Sequence, residues 1–153
     1  MDENFLIFTV PGGKYAIQSR LISEVAALDK VFPLPLVPPY VRGIINRYSV
    51  PYALIDLCFM LFNGTSDCKK LIILKEEIDK IAFLIDDVTD IAGISEDKIM
   101  KIGQEDTADP AGMTGGGNFA VSGFFEWNGS QIFYLDTNDI LSRIKRDFEY
   151  LVT

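Results

Sequence analysis

Apolar residues in this chain fall in short runs broken by turn-forming residues, a spacing that suits strands better than long helices. Phe5 to Val10, "FLIFTV", predicts a strand, and "PGGK" a tight turn in which Gly12 and Gly13 adopt positive φ at little cost. "YAIQ" returns as the second arm of a hairpin. "SRLISEVAAL" predicts a short helical turn capped by Ser19, with Leu21, Ile22 and Val25 facing inward. "DKVFPLPLVPPY" reads as irregular or edge-like, because its prolines cannot donate to a ladder. "VRGIIN" and "VPYALI" predict two strands joined through Arg47, Tyr48 and Ser49. Asp56 then caps a short helix, "LCFMLF", which Asn63-Gly64 ends with a left-handed residue.

"KKLIILK" and "IAFLIDD" predict a hairpin across Glu76 to Lys80, and "VTDIAGI" a further strand. "SEDKIMKI" reads as a helical turn and "GQEDTADPAGMTGGGN" as loop. "FAVSGFFEW" and "QIFYLD" form the clearest hairpin, turning at Asn128-Gly129. Only the C-terminal segment, about residues 138 to 152, has an amphipathic helical period, with Ile140, Leu141, Ile144, Phe148 and Leu151 on one face. About nine strands with almost no intervening helix predict an antiparallel all-β barrel or sandwich. A doubly wound fold is excluded, since its crossovers need a dozen or more helical residues. "YALIDL", "AFLIDD" and "IFYLDT" echo one another as apolar strands leaving the sheet at an aspartate. Ordinary turn and cap chemistry accounts for that.

Composition narrows the function. The 153 residues are 48% apolar, enough for a self-sufficient core, and carry a net charge of −8. That field repels phosphate backbones and anionic membrane surfaces, so no nucleic-acid partner and no direct membrane insertion are expected. No apolar run reaches the roughly 18 residues of a membrane span, and "MDENFLIF" is too short and acidic for a secretion signal, so a cytoplasmic protein is expected. Two cysteines, Cys58 and Cys68, are too few for a disulfide framework or a zinc site. The absence of histidine removes Ser-His-Asp and Cys-His catalysis and the commonest general base.

The remaining chemistry is thin. Asp86-Asp87 offers hard oxygen ligands for a divalent cation, or simply a solvated strand end. "GMTGGGN" lacks the Gly-Lys-Ser/Thr and following helix of a phosphate loop. Cys68 beside Lys69 and Lys70 would be a mildly acidified thiol without a resolving partner. "LPLVPPY" would suit a proline-rich ligand, but its apolar density favours a covered structural crossing. Arg42, Asn46 and Tyr48 lie within the oily stretch "PPYVRGIINRYSVPYALIDL". They are either a carboxylate-paired arginine and a satisfied bend, or the polar and aromatic rim of a protein interface.

At this stretch the chain resembles the CheW-type chemotaxis coupling proteins. The similarity runs from about Phe5 to Leu141. It comprises "FLIFTVPGGKYAI", the "ISEV" turn, "PPYVRGIINRYSVPYALIDL" against the family's "P-P-F-V-R-G-V-I-N-L-R-G…D-L", "LIDDVTDI", and the late hairpin "VSGFFEWNGSQIFYLDTNDIL". The resemblance implies one domain over 1–153, built as two five-stranded SH3-like β-barrels with a C-terminal helix. It implies an adaptor that is not an enzyme and uses no cofactor. Its partners would be the regulatory domain of the histidine kinase CheA and the cytoplasmic tip of methyl-accepting chemoreceptors, so it would be recruited to membrane-associated arrays. The receptor tip would occupy a groove between the barrels, with Arg42 and the Asn46–Tyr48 turn at its mouth. Transferred by position, the partner-binding residues are Ile22, Glu24, Arg42, Gly43, Asn46, Tyr48 and, in "LIDDVTDI", Val88. One departure stands out: the family's "N-L-R-G" is "N-R-Y-S", so Tyr48 replaces an interface arginine and Ser49 a turn glycine. Tyrosine keeps contact area but loses the positive fork. This leaves open a second reading, a CheW-like regulator of another signalling or motility pathway that binds a kinase without standard receptors.

Overall fold

A computed structural model describes residues 2–64, 67–102 and 120–152. In chain order it contains β1 (Asp2–Val10), β2 (Gly13–Gln18), β3 (Ile22–Ala27), β4 (Val41–Arg47), β5 (Val50–Asp56), α1 (Leu57–Phe62), β6 (Lys70–Leu74), β7 (Ile81–Ile85), β8 (Asp87–Ser95), β9 (Met100–Lys101), β10 (Val121–Trp127), β11 (Ser130–Leu135) and α2 (Thr137–Val152). The strands form two sheets, ordered β8-β1-β2-β11-β10-β9 and β3-β6-β7-β5-β4. The chain therefore starts in the first sheet, builds the whole of the second, and returns to finish the first.

This is the expected mostly-β, two-unit fold with one C-terminal helix, with four corrections. One sheet has six strands rather than five. Two pairings are parallel, β11 with β2 and β5 with β7, where an antiparallel fold was expected. The helical turn after β2 is only Ser19–Leu21, and it has no side-chain cap. Ser19 Oγ donates instead to the Asn4 carbonyl at 3.2 Å. Ile22–Ala27 is a strand on β6, and Val25 is 43% exposed rather than inward. Its two-residue alternation is weak in sequence, and the ladder offered by β6 overrides local helical preference. Finally, the expected helical turn "SEDKIMKI" is helical only over Glu96–Lys98, and its Met100–Lys101 joins β10 as a short strand. The loop "GQEDTADPAGMTGGGN" lies outside the described residues.

Alternation along the strands sorts their side chains into three cores. Ile45, Tyr52, Leu54, Leu71, Ile73, Ala82 and Leu84 fill the second sheet's concave side. Phe5, Ile7, Ala16, Ala92, Ile94, Phe125 and Ile132 fill that of the first. The opposite faces meet in a third core between the sheets, where Phe8, Ile17, Ile72, Phe83 and Ile85 pack with Ile140 and Ile144 of α2. This is why "IAFLI" reads as one unbroken apolar run: every residue of β7 is buried, alternately in two different cores.

Contacts beyond the ladders draw the ends of each sheet together. In the first, Trp127 Nε1 on β10 donates to Asp90 Oδ2 on β8 at 2.8 Å, although β8 and β10 are not neighbours in the sheet order. In the second, the terminal strands β3 and β4 are linked in two ways. The chain leaving β3 returns to pair Phe32 with Ile44 of β4. Glu24 of β3 also forms an ion pair with Arg47 of β4. Both sheets are thus rolled, as compact units built from few strands require.

Helix α2 is tied down by a further contact. Tyr40, just before β4, donates its hydroxyl to Asp147 Oδ2 at 2.5 Å. Burial, then this hydrogen bond, push the Tyr40 phenol above its ordinary value of 10.0. Burial likewise raises Tyr15 to about 12. A phenol whose folded pKa is raised stabilises the fold fully below pH 10 and loses that contribution as pH rises, because the unfolded phenol ionises first. Stability measured by denaturant titration is expected to fall from about pH 10 upward. Tyr40→Phe is expected to reduce that slope; an unchanged slope would count against the Tyr40–Asp147 linkage.

Candidate interaction site

Several of the positions marked in the sequence lie on the β4–β5 hairpin. Tyr48 and Ser49 both adopt left-handed backbone, with φ of 51° and 68°. That is the type I′ geometry whose twist matches the flanking strands. Glycine or asparagine usually occupies these positions, so each residue here stores strain on the order of 1–2 kcal/mol. The turn presents Tyr48 to solvent at 83% exposure. Beneath it, Arg47 stacks its guanidinium 5.1 Å from the Tyr48 ring centroid. The same guanidinium donates from Nε to Glu24 Oε1 at 2.8 Å, and from Nη2 to the same oxygen. The Glu24 hydrogen bond raises the Arg47 pKa further above its usual value.

Arg42 performs a structural task. Its Nε and Nη2 donate to Asp56 Oδ2 at 2.9 and 2.5 Å. Asp56 is fully buried and its other oxygen accepts from Phe59 N at 3.2 Å, capping α1. Asn63 ends α1 in the left-handed conformation, as expected. Asn46 is exposed beside a shallow cleft of about 220 Å3, whose walls include Asp29, Phe32, Ile45 and Arg47. Gly43 has φ +140°, and a Cβ there would lie 2.3 Å from the Phe32 carbonyl oxygen.

The remaining two positions lie elsewhere. Ile22 and Val88 are half-buried and pack against the core between the sheets. Val88 sits on β8 opposite Phe8, and its neighbour Asp87 accepts from Lys70 Nζ of β6 at 2.5 Å, bridging the sheets. The structure therefore joins Glu24 to Tyr48 through Arg47, puts Arg42, Gly43 and Asn46 on the same hairpin, and places Ile22 and Val88 at the intersheet seam. Sequence reading took Arg47 only as part of the connecting turn, and Val25 as an inward-facing residue, whereas Val25 is 43% exposed. The only linear signal for Arg47 was a cation displaced by one place from the family's arginine.

The other candidates become structural. Asp86 N donates to the Thr9 carbonyl and Thr9 Oγ1 to Asp86 Oδ2 at 3.3 Å. The hydrogen bond from Lys70 holds Asp87 below the usual carboxylate range. Among the described residues no group of three or more His, Cys, Asp or Glu is placed to hold a metal. Cys58 and Cys68 are buried and form no disulfide, and burial pushes the Cys58 thiol up. "LPLVPPY" is a correction: Leu34 and Leu36 are exposed, Leu36 at 89%, as is the nearby Phe32. Only its first half is uncovered: Val37 is half-buried and Pro38 and Tyr40 are buried, Val37 and Tyr40 against the core between the sheets. No helix among the described residues is long and apolar enough to cross a membrane.

Two sheets sharing a core, with a tyrosine-bearing hairpin on one and a C-terminal helix packed between them, define a mostly-β domain of two linked sheets. The family model for the CheW-like domain matches residues 4–145, and the chain belongs to that family. It is 28% identical over 101 residues to the chemotaxis protein CheW of Bacillus subtilis, covering 63% of this chain and 64% of that protein. It is 25% identical over 150 residues to the chemotaxis protein CheW of Treponema pallidum, covering 92% and 84%. Its fold matches the crystal structure of the scaffolding protein TtCheW from Thermoanaerobacter tengcongensis, with TM-score 0.71 and 21% identity over 88% of this chain and 84% of that one.

Proposed function

We propose that this protein is a non-catalytic scaffold of chemotaxis signalling, coupling the cytoplasmic tip of chemoreceptors to the regulatory domain of the histidine kinase CheA. The observation that carries this reading is the family match from residue 4 to 145, which takes in both sheets and the hairpin. A scaffold needs no reacting groups. It needs two surfaces held in fixed relation, so that binding one partner raises the effective concentration of the other. The rigid core between the sheets suits that task. The partner-binding residues on this reading are Ile22, Glu24, Arg42, Gly43, Asn46, Tyr48 and Val88, and the protein works at receptor arrays on the cytoplasmic side of the membrane.

Co-sedimentation of the full chain with receptor-tip and kinase regulatory-domain fragments from the same organism tests the proposal. Both are expected in the pellet fraction, and recovery of neither rejects it. Tyr48→Ala is the cleanest site variant, because an 83% exposed ring contributes little to the core. It is expected to weaken capture about tenfold, the scale of an aromatic hot spot, while leaving the melting temperature within about 2 °C. Unchanged capture would remove Tyr48 from the site. The Tyr48-Ser49 departure favours one second reading, a regulator that binds the kinase without standard receptors. Recovery of the kinase fragment alone would select it.

A further inference from the structure

Helix α1 leaves β5 of the second sheet, yet its last residue rests on the first. At its start the buried Asp56, held by Arg42, accepts from Phe59 N. At its end Asn63 turns left-handed and donates its N–H to the Phe59 carbonyl at 2.8 Å. Six residues capped at both ends make a short, stiff strut. Its foot is the Phe62 ring, which lies over the β1–β2 turn. A Cβ on Gly12, at φ +111°, would meet three atoms of that ring at 3.2–3.4 Å, so glycine lets the ring seat on bare turn backbone. One turn back along α1, Cys58 Sγ donates to the Pro11 carbonyl of the same turn at 3.6 Å. From Phe62 an aromatic row crosses the first sheet. Phe62 meets Tyr15 of β2 edge-on at 6.1 Å between centroids, Tyr15 meets Phe133 of β11 at 6.3 Å, and Phe133 meets Phe124 of β10 at 6.0 Å.

We infer that Phe62 is a positioning residue for scaffolding: seated on the Gly12 turn, it fixes the angle between the two sheets, so that a partner bound to one sheet is felt by a partner bound to the other. The inference rests on the scaffold reading above and deepens it by naming the contact that couples the two surfaces. The core between the sheets is apolar and non-directional, so it resists separation more than tilt. Phe59, Met60 and Leu61 of α1 pack against that core. Phe62 lies at its rim, 36% exposed, where a contact has the longer lever against tilting. Without this seat the sheets stay docked and each surface keeps its own shape, but a shift of one is no longer passed to the other.

Paired titrations of the full chain test this. Affinity for the receptor-tip fragment is measured alone and with saturating kinase regulatory-domain fragment, in wild type, Phe62→Leu, Phe62→Ala and Phe62→Tyr. Wild type is expected to bind the receptor fragment about fivefold or more tightly when the kinase fragment is present, the lower end of ordinary coupling between sites. Phe62→Leu and Phe62→Ala are expected to keep each separate affinity within about twofold of wild type and to reduce the enhancement below about twofold. Phe62→Tyr keeps the ring and is expected to keep the enhancement. A residue that only stabilised the fold would lower the melting temperature and leave the enhancement unchanged. Phe62→Leu retains most of the apolar volume and decides the matter if the alanine variant fails to fold. Enhancement that survives in Phe62→Leu overturns the inference. Wild type that binds both fragments without enhancement overturns it too, and leaves the scaffold reading standing. Capture of fewer than both fragments by wild type overturns the two-partner scaffold reading, and this inference with it.

Discussion

Gly43→Ala is expected to lower the unfolding free energy by about 2–4 kcal/mol, a large loss for one methyl group. Two costs combine. The backbone has φ +140°, where a side chain is strained wherever there is space for it. The added Cβ would also meet the Phe32 carbonyl oxygen at 2.3 Å and Val31 Cγ1 at 3.0 Å. Relief requires moving the Phe32 backbone, which breaks the reciprocal 2.8 Å hydrogen bonds between Phe32 and Ile44. Each is worth about 0.5–1.5 kcal/mol. Those bonds join the segment after β3 to β4, so the variant also loosens the side of the sheet that carries the Tyr48 hairpin. A melting temperature lower by about 5–15 °C is expected. Gly129→Ala is the control: φ is +78° but nothing lies within 4 Å, so about 1 kcal/mol is at stake. Equal losses at the two glycines would show that backbone conformation alone matters and that the approach of Phe32 does not.

Phe83→Ala is expected to cost more, about 3–5 kcal/mol, because it empties part of a core that cannot collapse easily. Phe83 is wholly buried on β7, flanked by Ile72 of β6 and Ile55 of β5, which are also wholly buried. Its side chain contributes to the core between the sheets rather than to either rolled interior. The loss therefore acts on the docking of the two sheets and of α2 together. Chemical denaturation followed by Trp127 fluorescence in the first sheet should report it, although the substitution lies in the second. A Trp127 transition at the wild-type midpoint would mean that the sheets unfold independently.

These outcomes follow from features of differing legibility. Asp56 at the end of "YALID" was readable as a helix cap, because capping is decided within four residues of chain. That Arg42 pairs with a carboxylate was one of two open readings; only packing identified that carboxylate as the buried Asp56. Asn128-Gly129 was readable as a two-residue turn, and both residues have positive φ. The α2 face was readable from its period, with Ile140 and Ile144 buried. In contrast, "ISEVAA" was not readable as a strand, since its partner "KLIIL" lies more than forty residues away and supplies the ladder. Exposure of Leu36 was misjudged for the same reason: density of apolar residues implies a covering layer only if the fold provides one.

The candidate site divides similarly. Tyr48, Asn46 and Glu24 could be marked by resemblance, residue against residue. That Arg47 closes on Glu24 could not, because the two are brought together only when β3 and β4, the outermost strands of their sheet, come round to face each other. By itself the sequence determined the local elements: alternating strands, turn residues, caps and one amphipathic helix, each governed by neighbours a few positions apart. Tertiary structure alone decided the strand order, the two parallel pairings, the division into three cores and the pairing of Arg47. Those depend on which distant faces exclude water together, and a one-dimensional pattern records only that a face is apolar, not which other face will cover it.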